Sequence, residues 1–332
     1  MALVGRRDGR NFGYGRQLSY AGRQALEDLF AGGHFATVKA HGDRWQAFVR
    51  WCRSENGPGY NDARQIDQQT LKDYAAYLRQ QIQQGKLCTA TAQNRLSSVN
   101  RTLAALRGNQ DVRIISPSKA LGQQRSSVRV LAPDGQDRSQ ILLVLQALGD
   151  QQHERVAAIV MLARATGMRL REAILADLPR LRREAEHLGR INIQDGTKGG
   201  RSGASAARWI TVNEEVKAAL KLACEVSPAG SRNLLHQTES YIAFLKYIVL
   251  PSRGILHSHG IKGFHELRAA FACERYQQLT GLKAPVNGGQ LYTTDRKLDL
   301  NARQKISQEL GHNRVDVVSA YIGGRACVKP MT

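Results

Sequence analysis

The chain has 332 residues, enough for two domains that each bury a core of their own. Its 48 Lys and Arg against 28 Asp and Glu leave a formal charge of +20, so the expected partner is a polyanion, either nucleic acid or an anionic membrane. No run of eighteen apolar residues occurs, and the opening MALVGRRDGRNFGYGRQ lacks the apolar stretch of a signal peptide, which favours a cytoplasmic, nucleoid-associated protein over a membrane one. An aromatic content of 6% argues against a base-stacking platform for single strands, leaving double-stranded DNA as the expected ligand. Five scattered cysteines (Cys52, Cys88, Cys224, Cys273 and Cys327) without a CxxC pair read as reduced thiols rather than a disulfide framework or zinc ribbon.

In chain order, residues 1–17 carry Arg6, Arg7, Arg10 and Arg16 among glycines and read as a basic N-terminal arm. Four helical patterns follow within 18–110. Leu18 to Phe30 repeats Leu18, Ala25, Leu26 and Leu29; Val38 to Cys52 repeats Val38, Trp45, Phe48, Val49 and Cys52. Gln69 to Ile82 offers Leu71, Tyr74, Ala75, Leu78 and Ile82, and the segment after Thr89 offers Leu96, Val99, Leu103 and Leu106. Breakers in GGH, ENGPGYND and QQGK separate them, so a small helical DNA-binding bundle is expected. From 111 to 138 periodicity fades among Pro117, Pro133 and basic residues, which suits an exposed linker.

The second domain is expected over 139–332. HERVAAIVMLARATG is apolar almost all round, which predicts a buried helix capped by Gly167. RLREAILADL reads as another helix, and RINIQ and RWITV alternate as short strands around DGTKGGRSGASAA, predicting a hairpin. Helices return in NEEVKAALKLAC, SYIAFLKYIVL, HELRAAFACERYQQL and ARQKISQEL. The expected fold class is therefore mainly α with a small β-hairpin.

Several weak chemical signals lie in this domain. In TGMRLREA, Arg169 follows a buried helix and is placed to grip a phosphate through two parallel hydrogen bonds, with Glu172 one turn on to orient a basic neighbour. Alone, an arginine at a helix start is most often surface charge. In HELR, His265 and Arg268 share a helix face at i, i+3 spacing. A metal site from His257, His259 and His265 lacks a Cys or acid to complete it. DGTKGGRSG is not a phosphate loop, because Lys198 precedes the glycines; on a hairpin it is instead placed to reach a DNA groove. In SQELGHNRVDVVSAYIGG, Tyr321 stands nine residues after His312, on the border of an apolar stripe of Val315, Val318 and Ile322 that would by itself make it a core residue.

Together, Arg169 in TG-x-R-x-x-E, Lys198 in a hairpin, H-x-L-R at His265 and Arg268, LGH at His312 and Tyr321 nine residues later resemble the tyrosine recombinases, the phage-integrase and Xer family. The resemblance spans residues 139–324. It implies a site-specific DNA recombinase that cleaves and rejoins duplex DNA through a covalent 3′-phosphotyrosyl intermediate, acting for a mobile genetic element. Tyr321 would be the nucleophile, His265 its base, Lys198 the acid, and Arg169, Arg268 and His312 the stabilisers of the transition state, with Glu172 in support. The resemblance implies no metal or nucleotide cofactor, and a homotetramer on DNA formed from free monomers, with accessory DNA-bending or directionality factors. Ile322 and Val328 are candidate anchors for docking a C-terminal tail on a neighbouring subunit.

The chain departs from the pattern in two places. Many members have a second His after H-x-L-R where Ala269 stands, and the interval from Arg268 to His312 is long, with an insertion around 280–300. Two alternatives share parts of this reading: a type IB topoisomerase-like relaxation activity, and a DNA-binding regulator with a vestigial site.

Overall fold

A computed structural model describes residues 9–197, 207–289 and 295–325. The chain forms two compact units, Met1–Ser126 and Ser127–Thr332, dividing inside the stretch expected as a linker.

The first unit holds α1 (Leu18–Leu29), α2 (Phe35–Cys52), α3 (Gln68–Gln83), α4 (Thr89–Arg107) and α5 (Pro117–Leu121). Two of these helices, α3 and α5, begin on a side-chain cap. Asp67 accepts from the Thr70 amide at 2.8 Å ahead of α3, and Ser116 caps α5, whose first residue is proline. The periodic residues of the sequence form the core: Leu18, Trp45, Phe48, Leu71, Tyr74, Leu78, Leu96, Val99 and Leu103 are all fully buried. Burying each large side chain stabilises the unit by roughly 1.5–3 kcal/mol, before chain entropy is set against it. Trp45 resolves its one polar atom by donating Nε1–H to the Leu18 carbonyl at 2.9 Å.

The segment expected as a basic arm is tethered at residue 11. Asn11 is fully buried; its amide donates to Gly15 O at 2.7 Å, and its Oδ1 accepts from the Ala63 amide at 2.7 Å. A short polar side chain can satisfy a turn in this way, which composition alone does not reveal.

The second unit comprises α6 (Arg138–Asp150), α7 (Glu154–Thr166), α8 (Leu170–Leu175), α9 (Leu178–Leu188), β1 (Arg190–Asn192), β2 (Trp209–Thr211) and α10 (Glu214–Glu225). It continues with α11 (Tyr241–Phe244), which runs on through a π-turn over Leu245–Val249, then α12 (Arg253–Ser258), α13 (Phe264–Thr280), α14 (Arg296–Glu309) and α15 (Ser319–Ile322). The expected hairpin is an antiparallel pair in the register Arg190↔Thr211, Ile191↔Ile210 and Asn192↔Trp209. Ile191 and Ile210 face the core, and the alternation of these short strands follows from that burial.

Two helices are buried nearly all round. In α7, Val156, Ala158, Ile159, Val160 and Leu162 are fully enclosed, and α7 packs against α6, α10 and α13. In α13, Leu267, Arg268, Ala269, Ala270 and Ala272 are equally enclosed, and α13 packs against α7, α14 and α15. Ala269, where many recombinases carry a histidine, is thus a core residue here. A charge placed on such a helix has a fixed position, which is what the site requires.

Candidate active site

The site is assembled where α7 ends, α13 begins and the turn after α14 leads to α15. Gly167 closes α7 with φ +66°, and a Cβ there would lie 2.5 Å from Phe271 Cδ1, so both the backbone and the space demand glycine. The tight turn puts Arg169 at the start of α8. Glu172 lies in the first turn of α8 and is fully buried. Its Oε2 accepts from the Arg169 amide at 2.7 Å, and its Oε1 accepts from Arg169 Nη1 at 2.5 Å. The Arg169 guanidinium, 30% exposed, is thereby braced from beneath.

Arg268 is fully buried on α13. Its Nη1 donates to the Gly167 carbonyl and its Nη2 to the Leu310 carbonyl at 2.5 Å. Its Nε faces Tyr321 Oη at 3.4 Å. Burial, joined by the charges of Arg208 and Arg169, pulls Arg268 down to about 9, although Tyr321 and Glu172 act in the opposite direction. For Glu172 burial favours the neutral acid, but the charges of Arg208, Arg169 and Arg268 outweigh it and hold the carboxyl at about 2. Three guanidinium groups therefore surround one carboxylate, an excess of positive charge that suits an anionic ligand.

His312 follows α14 through Gly311, whose φ is +66° and whose Cβ, were one present, would lie 3.0 Å from Arg208 Cδ. The His312 amide donates to Ser307 O at 2.9 Å. Burial, then the charges of Arg268, Arg169 and Arg208, lower its pKa to about 4, so the ring is neutral at pH 7. His312 Nε2 lies 2.9 Å from Tyr321 Oη and 3.3 Å from Arg268 Nη2. A guanidinium only donates, so Nε2 is an acceptor, its proton sits on Nδ1, and the phenol donates to it. His265 lies on the same side, with its ring centroid 5.3 Å from that of Tyr321. Desolvation and the Arg268 charge also lower the pKa of His265.

Tyr321 is only 4% exposed, as its apolar surroundings suggested, yet its hydroxyl points into the cluster. The chain just beyond it is anchored by two buried ions, Asp299 and Arg303, and by the exposed Arg325. Asp299 accepts from Tyr276 Oη at 2.8 Å and pairs with Arg303 at 2.9 Å and Arg325 at 3.0 Å, while Arg303 Nη1 reaches Gly323 O at 3.2 Å. Ile322 is fully buried in the chain's own core, which occupies the apolar surface expected to dock elsewhere; Val328 lies outside the described residues.

The structure thus brings together Arg169, Glu172, His265, Arg268, His312 and Tyr321. Lys198 lies outside the described residues, as does part of the 280–300 insertion. Arg208 was not singled out in the sequence. It is 3% exposed and donates to Glu172 Oε2 at 2.6 Å, Glu309 O at 2.5 Å and Gly167 O at 3.0 Å. An arginine heading a strand gives no sign of that burial among 48 basic residues.

Residues 125–274 match the model of the family described as Integrase, a span that holds Arg169, Lys198, His265 and Arg268. The fold is similar to that of the Tn1549 transposon integrase in complex with a circular intermediate DNA (TM-score 0.55, 13% identity, covering 91% of this chain and 95% of that one). It is also similar to the same integrase in complex with transposon right end DNA (TM-score 0.57, 12% identity, with the same coverage). A lambda integrase tetramer bound to a Holliday junction gives a TM-score of 0.54 at 17% identity, over 94% of this chain and 79% of that one. No curated protein sequence matches the chain.

Proposed function

We propose that this chain is a tyrosine recombinase of the integrase family whose model it matches over residues 125–274, a site-specific DNA recombinase of a mobile genetic element that works through a phosphotyrosyl intermediate. The observation that carries the reading is the placement of the Tyr321 hydroxyl, 2.9 Å from a neutral imidazole and 3.4 Å from a buried guanidinium. A phenol is a weak nucleophile at its ordinary pKa, so it needs a base, and a phosphodiester repels it until the phosphate charge is offset. Both requirements are met in one cluster.

In the proposed reaction Tyr321 Oη attacks phosphorus and forms the O–P bond as the bond to the 5′ oxygen breaks. The phenolic proton passes to an imidazole, and Lys198 protonates the departing oxygen, leaving a free 5′-hydroxyl. Attack by a 5′-hydroxyl of a partner duplex reverses these steps and reseals the strand. Arg169, Arg268 and one imidazole offset the charge on the non-bridging oxygens. His265 is the base that the motif supports, whereas the 2.9 Å bond favours His312 for the same step. The partner is duplex DNA, with a homotetramer as the assembly on it and accessory factors setting direction. No described helix is long and apolar enough to cross a membrane.

The test is covalent trapping. Wild-type protein is mixed with nicked fragments of its source genome and mobile elements, denatured in detergent, and assayed for attached DNA. Adducts should form, vanish in Tyr321→Phe and leave DNA affinity nearly unchanged, because one phenolic oxygen counts for little beside many phosphate contacts. A Phe variant that still formed adducts would overturn the nucleophile. Adducts that relax DNA without joining two duplexes would favour the topoisomerase-like reading, and binding without adducts the vestigial one.

A further inference from the structure

We propose that Arg208 is a positioning residue for the strand-transfer step: it occupies the Glu172 oxygen nearest Arg268 and so keeps the Arg268 guanidinium turned toward Tyr321 and the reacting phosphate. This rests on the recombinase reading above.

Glu172 Oε2 accepts two hydrogen bonds, from the Arg169 amide at 2.7 Å and from Arg208 Nη1 at 2.6 Å. A carboxylate oxygen has two lone-pair directions, so both are taken. Arg268 Nη1 stands 3.9 Å from that oxygen, close enough for attraction but without a hydrogen bond. Arg208 and Arg268 also share an acceptor, the Gly167 carbonyl, so two like charges lie side by side on one peptide. Arg208 thus acts on Arg268 twice, by saturating the competing anion and by repelling it from that side.

The anchoring of Arg208 itself is secure. Its amide donates to Asn192 Oδ1 at 2.9 Å, its carbonyl accepts from the Ile193 amide at 3.0 Å, and its Nε donates to Glu309 O at 2.5 Å. Its stem fills the space beside Gly311, one residue before His312. Without the Arg208 charge, one lone pair of Oε2 faces Arg268 in a poorly screened interior, where an unpaired acceptor is costly. Arg268 then closes on Glu172 and leaves the phenol. The consequence falls on the chemical step, since the guanidinium nitrogens of Arg208 are all committed to Glu172, Glu309 and Gly167.

The experiment is single-turnover cleavage of a nicked duplex at saturating protein, with DNA affinity and thermal melting measured in parallel. Arg208→Met should slow adduct formation about 100-fold, the effect of displacing a reacting group by about 1 Å. Its affinity should stay within about 2-fold of wild type, because one displaced guanidinium counts for little beside many phosphate contacts. Arg208→Lys, which keeps the charge, should recover part of the rate. Adding Glu172→Gln to Arg208→Met should raise the rate above that of Arg208→Met alone, because the anion that captures Arg268 is gone. A merely structural Arg208 predicts the opposite, since the second change removes another bond. Should Arg208→Met fail to fold, the same comparison is made on Arg208→Gln; failure of all these variants to fold would assign Arg208 to folding and overturn the proposal. It is also overturned if Arg208→Met cleaves like wild type, or if the double variant is no faster than the single. A wild-type chain that forms no adducts defeats the recombinase reading itself, and this proposal with it.

Discussion

Replacing Glu172 by Gln removes the carboxylate that faces Arg169, Arg208 and Arg268 while keeping the shape of the side chain. The folded protein holds this carboxyl at about 2 against an ordinary 4.5, and each pKa unit corresponds to 1.36 kcal/mol. The ionised form is therefore favoured by about 3 kcal/mol in the folded state, within the range for breaking a buried ion pair. Because the folded pKa is the lower one, this stability is present in full above about pH 4.5 and is lost as the pH falls through about 2. At neutral pH the Gln variant should be less stable by about 3 kcal/mol, a drop in Tm of about 6–12 °C for a unit of this size. The assay is thermal unfolding of both proteins from pH 7 down to pH 2.5. The gap should narrow as acid protonates Glu172 in the wild type. A variant that melts within about 2 °C of wild type at pH 7, with the same acid limb, would refute the role given to the buried carboxylate.

Arg169→Lys and Arg268→Lys should each slow adduct formation by about 100-fold or more while DNA affinity changes little, since Lys lacks the bidentate fork; near-normal rates would remove the clamp assignment. The two imidazoles are separable by the pH profile of single-turnover cleavage. The variant lacking the true base should lose the acid limb, whereas loss of the other should lower the rate at every pH without moving that limb. His312→Gln should also flatten the decline in stability between pH 6.5 and about 4, because a depressed His pKa contributes stability that is lost as the pH falls. Gly167→Ala should destabilise by more than about 1 kcal/mol, because the left-handed backbone and the 2.5 Å approach to Phe271 both oppose a Cβ; an unchanged denaturant midpoint would count against the turn as described.

Much of the fold was legible because it depends on local periodicity. The repeat Val38, Trp45, Phe48, Val49 and Cys52 is the buried face of α2, and the unbroken apolar run around Ile159 marks α7 as a helix enclosed on all sides. The motif residues were legible for a different reason: Arg169, His265, Arg268, His312 and Tyr321 stand in short motifs that follow one another in order, even where each alone is unremarkable and the interval from Arg268 to His312 is long. Tyr321 shows the limit, since its apolar border suits a core side chain and a nucleophile equally well. Only the fold decides that the ring is enclosed while its hydroxyl meets His312.

Charge pairing was beyond local reading. Arg208 meets a carboxylate 36 residues away and a carbonyl 101 residues away, and Asn11 meets Ala63 across 52 residues. With 48 basic side chains in the chain, residue type does not say which few are buried or which acid each one meets. The one-dimensional pattern determines which faces turn inward, because burial of apolar surface is non-directional and repeats with the helix. Partners for buried polar groups need direction and distance, and those exist only after the helices have packed.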